Sequence, residues 1–437
     1  MNILNCKHIH CVGIKGVGLT ALALCVQDLG INVTGSDVEE EFVTDETLKK
    51  RGISWNVGFD EKHLEPRPDL VVTTGAHGGL NNPEVLAAKK LGIPVMTHEE
   101  ALSAITQGRE VIAVCGVGGK STTSTMIATI FDVAGLHPSF AIGVGDIPSL
   151  GAPGRYDPEG KIFIVEADEY AVSPGVDNTP KFLYFNPKVI VVTNIEHDHP
   201  DIYPTIKETE NAFRKFFEKV PSDGLLIVNE NNQNAMGVVA GVDVPQKAYR
   251  IERYNLKVPG EFNQLNASGA AAASRFYGIS EDKIKEGLKK FTGTRRRFEK
   301  VSEKDGVIFI DDYAHMPNEI QATLKAAKEM YPGKRIVAIF QPHTYSRTKA
   351  LFAPFTESFG YADVVGVMDI YASARESKDE SITSEILAEA ISENNENTEY
   401  TGGHESTAKW IDENTQNGDV VLTMGAGDIF KLYKYLK

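Results

Sequence analysis

Lys120-Ser121-Thr122 follows three closely spaced glycines, Gly116, Gly118 and Gly119, in the stretch EVIAVCGVGGKSTTST (110–125). Backbone N–H groups in such a loop can surround phosphate oxygens. The lysine adds charge, the hydroxyl can reach a magnesium ion, and the following helix offers its positive end. The apolar run Val111–Cys115 predicts a buried strand before the loop, and Met126–Ala134 predicts the helix after it. The strict motif requires glycine where Val114 stands, so this is a compact G-x-x-G-K-S. We read it as an ATP phosphate site, against a plain glycine turn with a solvated lysine.

Other candidates stand at the ends of apolar runs. KIFIVEADEY (161–170) ends in Glu166, Asp168 and Glu169, and KVIVVTNIEHDHPDIY (188–203) ends in a cluster holding Asp198 and His199. Mg²⁺ takes carboxylate, hydroxyl and phosphate oxygens, so Ser121 and Glu166 suit one ion. His199 suits a second ion or a phosphate, with Asp168 and Glu169 in support; a solvated turn is the alternative for the His/Asp cluster. Arg295–Arg297 could fork onto phosphate or form an exposed linker. Asp311-Asp312 could take a ribose, and His343, Arg347 and Arg375 a small carboxylate. Near the N-terminus, Gly13, Gly16 and Gly18 with Asp37 suggest a nucleotide diphosphate on a helix end without specifying NAD. Tight strand–helix packing would also explain those glycines.

Strands alternating with helices must position these residues. Over the first hundred or so residues, HIHCVGI, INVTGSD, DLVVTTGA and IPVMT read as parallel strands. A second series begins near Ala104, with Gly143–Gly160 as a loop and FNQLNASGAAAASRFY (262–277) as a small-residue helix. A third begins near Thr294 with GVIFIDDYAH, RIVAIFQPH, ADVVGVMDIY and DVVLTMGAG. This predicts an α/β protein of three domains, 1–103, 104–293 and 294–437, with ligands at the carboxyl ends of the strands.

At 437 residues, with 42% hydrophobic and 24% charged residues, the chain can bury several cores. Its net charge of −15 argues against broad binding to nucleic acid or anionic membrane. Cys6, Cys11, Cys25 and Cys115 lack metal-ligand spacing and read as free thiols of a reducing compartment. No secretory leader or membrane-spanning run is apparent. The expectation is a cytoplasmic protein, monomeric or weakly dimeric.

Taken together, HIHCVGIKGVG…GSD, GVGGKSTT, EADE, TNIEHDHPD, FNQLNA, TGTRRRF, DDYAHMP, FQPHTYSRT, DIYASARE and MGAGDI resemble the Mur ligase family, in order along almost the whole chain. The resemblance implies a Rossmann-like UDP-sugar domain, a central P-loop ATPase domain with a mostly parallel sheet, and a Rossmann-like C-terminal domain. It implies ATP- and Mg²⁺-dependent joining of L-alanine to the lactyl carboxylate of UDP-N-acetylmuramate through an acyl phosphate. A preformed tripeptide as acceptor, or nucleotide and UDP-sugar binding without catalysis, are the alternatives. By the same resemblance, Lys120 holds the β/γ-phosphates, Ser121 and Glu166 one Mg²⁺, and His199 the second. Asn263 and Asn266 meet the adenine region, Arg297 the γ-phosphate, and Asp311 or Asp312 the ribose. His343 and Arg347 bind the amino acid, while Gly16, Gly18, Ser36, Asp37 and His77 lie at the UDP-sugar. The C-terminal domain is expected to close over the site. Three departures accompany the likeness: Val117 and Gly118 replace the usual Thr-His, Met316 stands where a second His is common, and the interval between YRIER (249–253) and FNQLN (262–266) implies a shortened central domain.

Overall fold

The computed structural model describes residues 3–199, 201–372 and 378–436. Its first sheet contains β1 (His8–Val12), β2 (Asn32–Asp37), β3 (Trp55–Val57), β4 (Leu70–Thr73) and β5 (Val95–Thr97). These strands are parallel throughout, in the order β3-β2-β1-β4-β5. The four residues of β4 are all buried, as expected when helices cover both faces of a parallel sheet. Because β2 and β4 flank β1, the chain reverses direction across the sheet there, and the Gly13–Gly18 turn opens at that point.

The second sheet contains β6 (Glu110–Cys115), β7 (Ser139–Ala141), β8 (Gly154–Arg155) and β9 (Ile162–Glu166). A separate two-stranded ribbon, β10 (Ala171–Ser173) and β11 (Asp177–Pro180), precedes the remaining strands β12 (Pro187–Val192), β13 (Leu225–Asn229) and β14 (Gln246–Tyr249). The order is β14-β13-β12-β6-β9-β7-β8, parallel except for the β7–β8 pair. Here β6 occupies the reversal point. Val114 pairs with Glu166 and Cys115 with Val192, so the ends of β9 and β12 lie level with the start of the phosphate loop. The stretch 143–160, expected to be all loop, contributes β8. Among the described residues no strand lies between β14 and the helix Glu261–Phe276. That helix buries Ala267, Ala270, Ala271 and Ala273, whose small side chains let it approach its neighbours closely.

The third sheet contains β15 (Glu299–Lys304), β16 (Val307–Asp312), β17 (Ile336–Phe340), β18 (Val364–Met368), β19 (Thr398–Gly402) and β20 (Val420–Met424). It is ordered β15-β16-β20-β17-β18-β19, with only β15 antiparallel to its neighbour. The four apolar runs read from the sequence form its interior. Both edge strands, β15 and β19, escaped that reading because their sequences EKVSEK and TEYTG are polar and largely exposed.

Two compact units result: residues 1–257 with 263–292, and residues 258–262 with 293–437. A continuous apolar cluster in the first unit runs from Ile9 of the first sheet to Val228 of the second. All four cysteines are buried and free. No described helix is long and apolar enough to cross a membrane.

Candidate active site

The phosphate loop is built by close contact with the end of β12. Gly116 has φ 130°, and a Cβ there would stand 2.2 Å from Thr193 Oγ1, so only glycine fits. Thr193 donates to Gly118 O at 2.6 Å, and Gly118 N donates to Asn194 Oδ1 at 2.9 Å. Gly119 caps the helix Lys120–Val133 with φ 82°, and its missing Cβ would meet Asn266 Oδ1 at 2.5 Å. Thus Asn266, one helical turn from buried Asn263, borders the loop. Thr122 is buried in the first turn of the helix.

Acidic groups surround Lys120. Its Nζ donates to Glu169 Oε2 at 2.9 Å and lies 3.9 Å from Asp168 Oδ1. Asp168 also takes Lys181 Nζ at 2.9 Å. Burial disfavours the Lys120 charge, but Glu169, Asp168 and Glu166 outweigh it and hold the ammonium well above its ordinary pKa. For Asp168, burial is likewise overcome, by Lys181, Lys120 and His199, and its carboxyl lies below the usual range. Glu169 is pushed upward, chiefly by burial, with Asp168 adding to the effect.

Ser121 Oγ donates to Glu166 Oε1 at 2.9 Å, while Gly143 N donates to the other oxygen at 3.0 Å. His199 Nε2 lies 3.6 Å from Asp198 Oδ2 and 4.0 Å from Glu169 Oε1, and its ring packs on Tyr170 at 4.3 Å. Asp168, Glu169 and His199 offer donor atoms within 4.8 Å of one another. A hydroxyl, carboxylates and one imidazole around a phosphate loop fit a divalent cation that shares phosphate oxygens.

At the first sheet, Asp37 and His77 come together. Asp37 Oδ2 accepts from Lys15 N at 2.7 Å, and its Oδ1 lies 3.5 Å from His77 Nε2. Gly16 caps the helix Val17–Asp28, and Gly18 in its first turn packs against the His98 ring. Beside Asp37 on β2 stands Ser36. Its side chain points to the opposite face of β2, where it is fully buried and donates to Glu84, beside His10 and His63.

In the second unit the arginine run divides. Arg296 is buried and binds Asp311, Gly425 O and Gly427 O, whereas Arg297 lies over the Tyr313 ring at 4.8 Å. Asp311 and Asp312, the candidates for a ribose, both make hydrogen bonds within this unit. Asp311 is spent on Arg296 and on the Thr423 hydroxyl at 2.9 Å. Asp312 accepts from Phe298 N at 2.6 Å and Ala314 N at 2.8 Å, and burial pushes its pKa up to about 6. Both are internal cross-links. His343 Nδ1 and Arg347 Nη1 are 3.0 Å apart, with the rings of Tyr371 at 5.7 Å and His315 at 6.2 Å from His343. Arg375 lies outside the described residues.

Sequence reasoning passed over Thr193, Asn194 and Lys181. The first two sit inside a recognised motif but have no apparent chemistry until the loop is folded beside them. Lys181 carries no local signal, because the turn through β10 and β11 is what brings it to Asp168.

Three family models match the chain: the Mur ligase family catalytic domain over residues 8–110, the Mur ligase middle domain over 114–249, and the Mur ligase glutamate ligase domain over 296–427. A UDP-N-acetylmuramate–L-alanine ligase of Desulfitobacterium hafniense is 34% identical, covering 97% of this chain and 98% of the relative. One of the same name from Acetivibrio thermocellus is 37% identical, covering 98% and 94%. Among solved structures, the UDP-N-acetylmuramate-alanine ligase of Thermotoga maritima superposes with a TM-score of 0.80 at 25% identity, covering 99% of this chain and 98% of the other. A murein peptide ligase of Psychrobacter arcticus shares the fold, with a TM-score of 0.72 at 24% identity. The chain belongs to the Mur ligase family.

Proposed function

We propose that this protein is the ATP-dependent ligase that joins L-alanine to the lactyl carboxylate of UDP-N-acetylmuramate, a step of peptidoglycan precursor synthesis. The observation that carries the chemistry is Lys120 at the head of a helix, held by Glu169 beside Asp168, with Ser121 on Glu166 and His199 beside Glu169. Relatives named for this reaction cover nearly the full chain.

The lactyl carboxylate attacks the γ-phosphorus of ATP and ADP departs, leaving an acyl phosphate. The amine of L-alanine then adds to the acyl carbon, and the tetrahedral intermediate expels phosphate. Two anions must meet in the first step, so positive groups fixed in advance carry most of the burden. Lys120 and the loop N–H groups hold the β/γ-phosphates, and Arg297 meets the γ-phosphate. Ser121, Glu166 and His199 would hold Mg²⁺, which when bound supplies positive charge to the phosphate oxygens. Asn263 and Asn266 line the adenine side, Gly16, Gly18, Asp37 and His77 the UDP-sugar, and His343 with Arg347 the amino-acid carboxylate. We retain three functional bodies, 1–103, 104–293 and 294–437, each centred on one large sheet.

The test is phosphate release from ATP with UDP-N-acetylmuramate and, in turn, L-alanine, glycine, L-serine or a muropeptide-derived tripeptide. L-Alanine is expected to give the highest kcat/KM. Turnover with tripeptide alone would reassign the acceptor, and no acceptor-dependent release would remove the ligase reading.

A further inference from the structure

We infer that Glu169 is a positioning residue that makes nucleotide binding depend on a divalent cation, by occupying Lys120 until one arrives. The inference rests on the ATP reading of the phosphate loop. Lys120 Nζ donates to Glu169 Oε2 at 2.9 Å, so the buried carboxylate sits where a phosphate oxygen would compete for the same ammonium. Asp168 is arranged differently: Lys181 holds it at 2.9 Å, and it lies 3.9 Å from Lys120. Glu169 is thus the close partner that a phosphate must displace.

Displacement by itself is unfavourable. It leaves Glu169 buried without Lys120, beside Asp168, and facing an incoming polyanion. Breaking a buried ion pair by removing one partner leaves an uncompensated charge that water cannot reach. His199, with Nε2 4.0 Å from Glu169 Oε1, stands on the other side of the carboxylate. A divalent cation arriving with the phosphates among Asp168, Glu169 and His199 would replace the charge that Lys120 withdraws. Metal-free nucleotide has no such compensation. Lys120 therefore exchanges one anion for another only when Glu169 gains a new cation.

The test is equilibrium binding of a non-hydrolysable ATP analogue by calorimetry, with excess Mg²⁺ and with EDTA. Wild-type protein is expected to bind at least about 30-fold more tightly with Mg²⁺. In Glu169→Gln, which keeps the shape without the charge, that ratio is expected to fall below about fivefold, mainly through tighter metal-free binding. Acetylation of Lys120, followed by mass spectrometry of the nucleotide-free protein, is expected to be at least about fivefold faster in the variant. An unchanged Mg²⁺ ratio in a variant with a wild-type melting profile would overturn the inference while leaving the ATP reading intact. Absence of nucleotide binding by the wild type in both conditions would overturn both. Should Glu169→Gln not fold, Glu169→Asp, with its shorter reach, is expected to show an intermediate ratio, and a wild-type ratio there would likewise overturn the inference.

Discussion

Asn194 Oδ1 accepts the backbone N–H of Gly118 at 2.9 Å, tying the phosphate loop to the end of β12. The amide thereby fixes one side of a loop whose other N–H groups must face phosphate. Asn194→Ala removes that brace without touching Lys120. The expected result is a rise of about tenfold in the KM for ATP, about 1.4 kcal/mol of lost preorganisation. UDP-N-acetylmuramate affinity, measured by calorimetry, should stay within about twofold.

Lys120→Ala should abolish measurable turnover, a loss of at least about 10³-fold, because a fixed positive charge is removed where the transferring phosphoryl group develops negative charge. It should also destabilise the first unit, since Glu169 and Asp168 are left with less compensation; breaking a buried pair typically costs about 3–5 kcal/mol. UDP-N-acetylmuramate should still bind to the folded fraction, because Gly16, Asp37 and His77 gather at the first sheet rather than the second. Loss of both affinities in a folded variant would contradict that division.

Much of this arrangement is legible in the chain, and the exceptions have physical causes. Val111–Cys115 followed by glycines and Lys120 announces a strand, a turn and a helix, because apolar runs and left-handed glycines are local signals. Glu166 and His199 are legible for a related reason: residues ending parallel strands must share one edge of the sheet. Ser36, Asp311 and Asp312 obey the same rule, and their side chains also make hydrogen bonds inside the fold. Adjacent strand residues face opposite ways, and no local signal reveals that Glu84 waits on one face of β2 or Arg296 beside β16. Lys181 was invisible for a complementary reason, since its partner Asp168 is brought near by a ribbon with no apolar pattern. The polar edge strands β15 and β19 were hidden in the same way.

His343 and Arg347 share a contact of 3.0 Å, with Tyr371 stacked on the imidazole. A guanidinium steadied by an aromatic-backed imidazole suits a small carboxylate. His343→Ala should therefore raise the apparent KM for L-alanine by about 10- to 100-fold, with little change in the KM for ATP. Initial rates at saturating UDP-N-acetylmuramate check this, and a rise confined to ATP would count against the assignment.

The second unit carries a pH-dependent fastening at its C-terminal end. His404 Nε2 lies 3.0 Å from the backbone oxygen of Asp428 and 3.3 Å from its Oδ1, and Gln341 donates to the same carboxylate oxygen at 2.8 Å. The hydrogen bond that His404 donates to Asp428 raises the imidazole pKa above its ordinary value. Burial is outweighed at Asp428 by His404, Gln341 and Lys431, leaving its carboxyl well below the usual range. A raised histidine pKa gives stability that is fully present below the unfolded value of about 6.5 and is lost as pH rises through the folded value. A lowered aspartate pKa gives stability present above the unfolded value near 3.9 and lost in acid. The pair should therefore stabilise most between about pH 4 and pH 6.5. His404→Gln is expected to lower the melting temperature of this unit by about 2–4 °C at pH 6. At pH 9 the gap should shrink to under about 1 °C, because the wild-type imidazole is then neutral. Equal gaps at the two pH values in scanning calorimetry would show that His404 acts through packing on Tyr435 rather than through its charge.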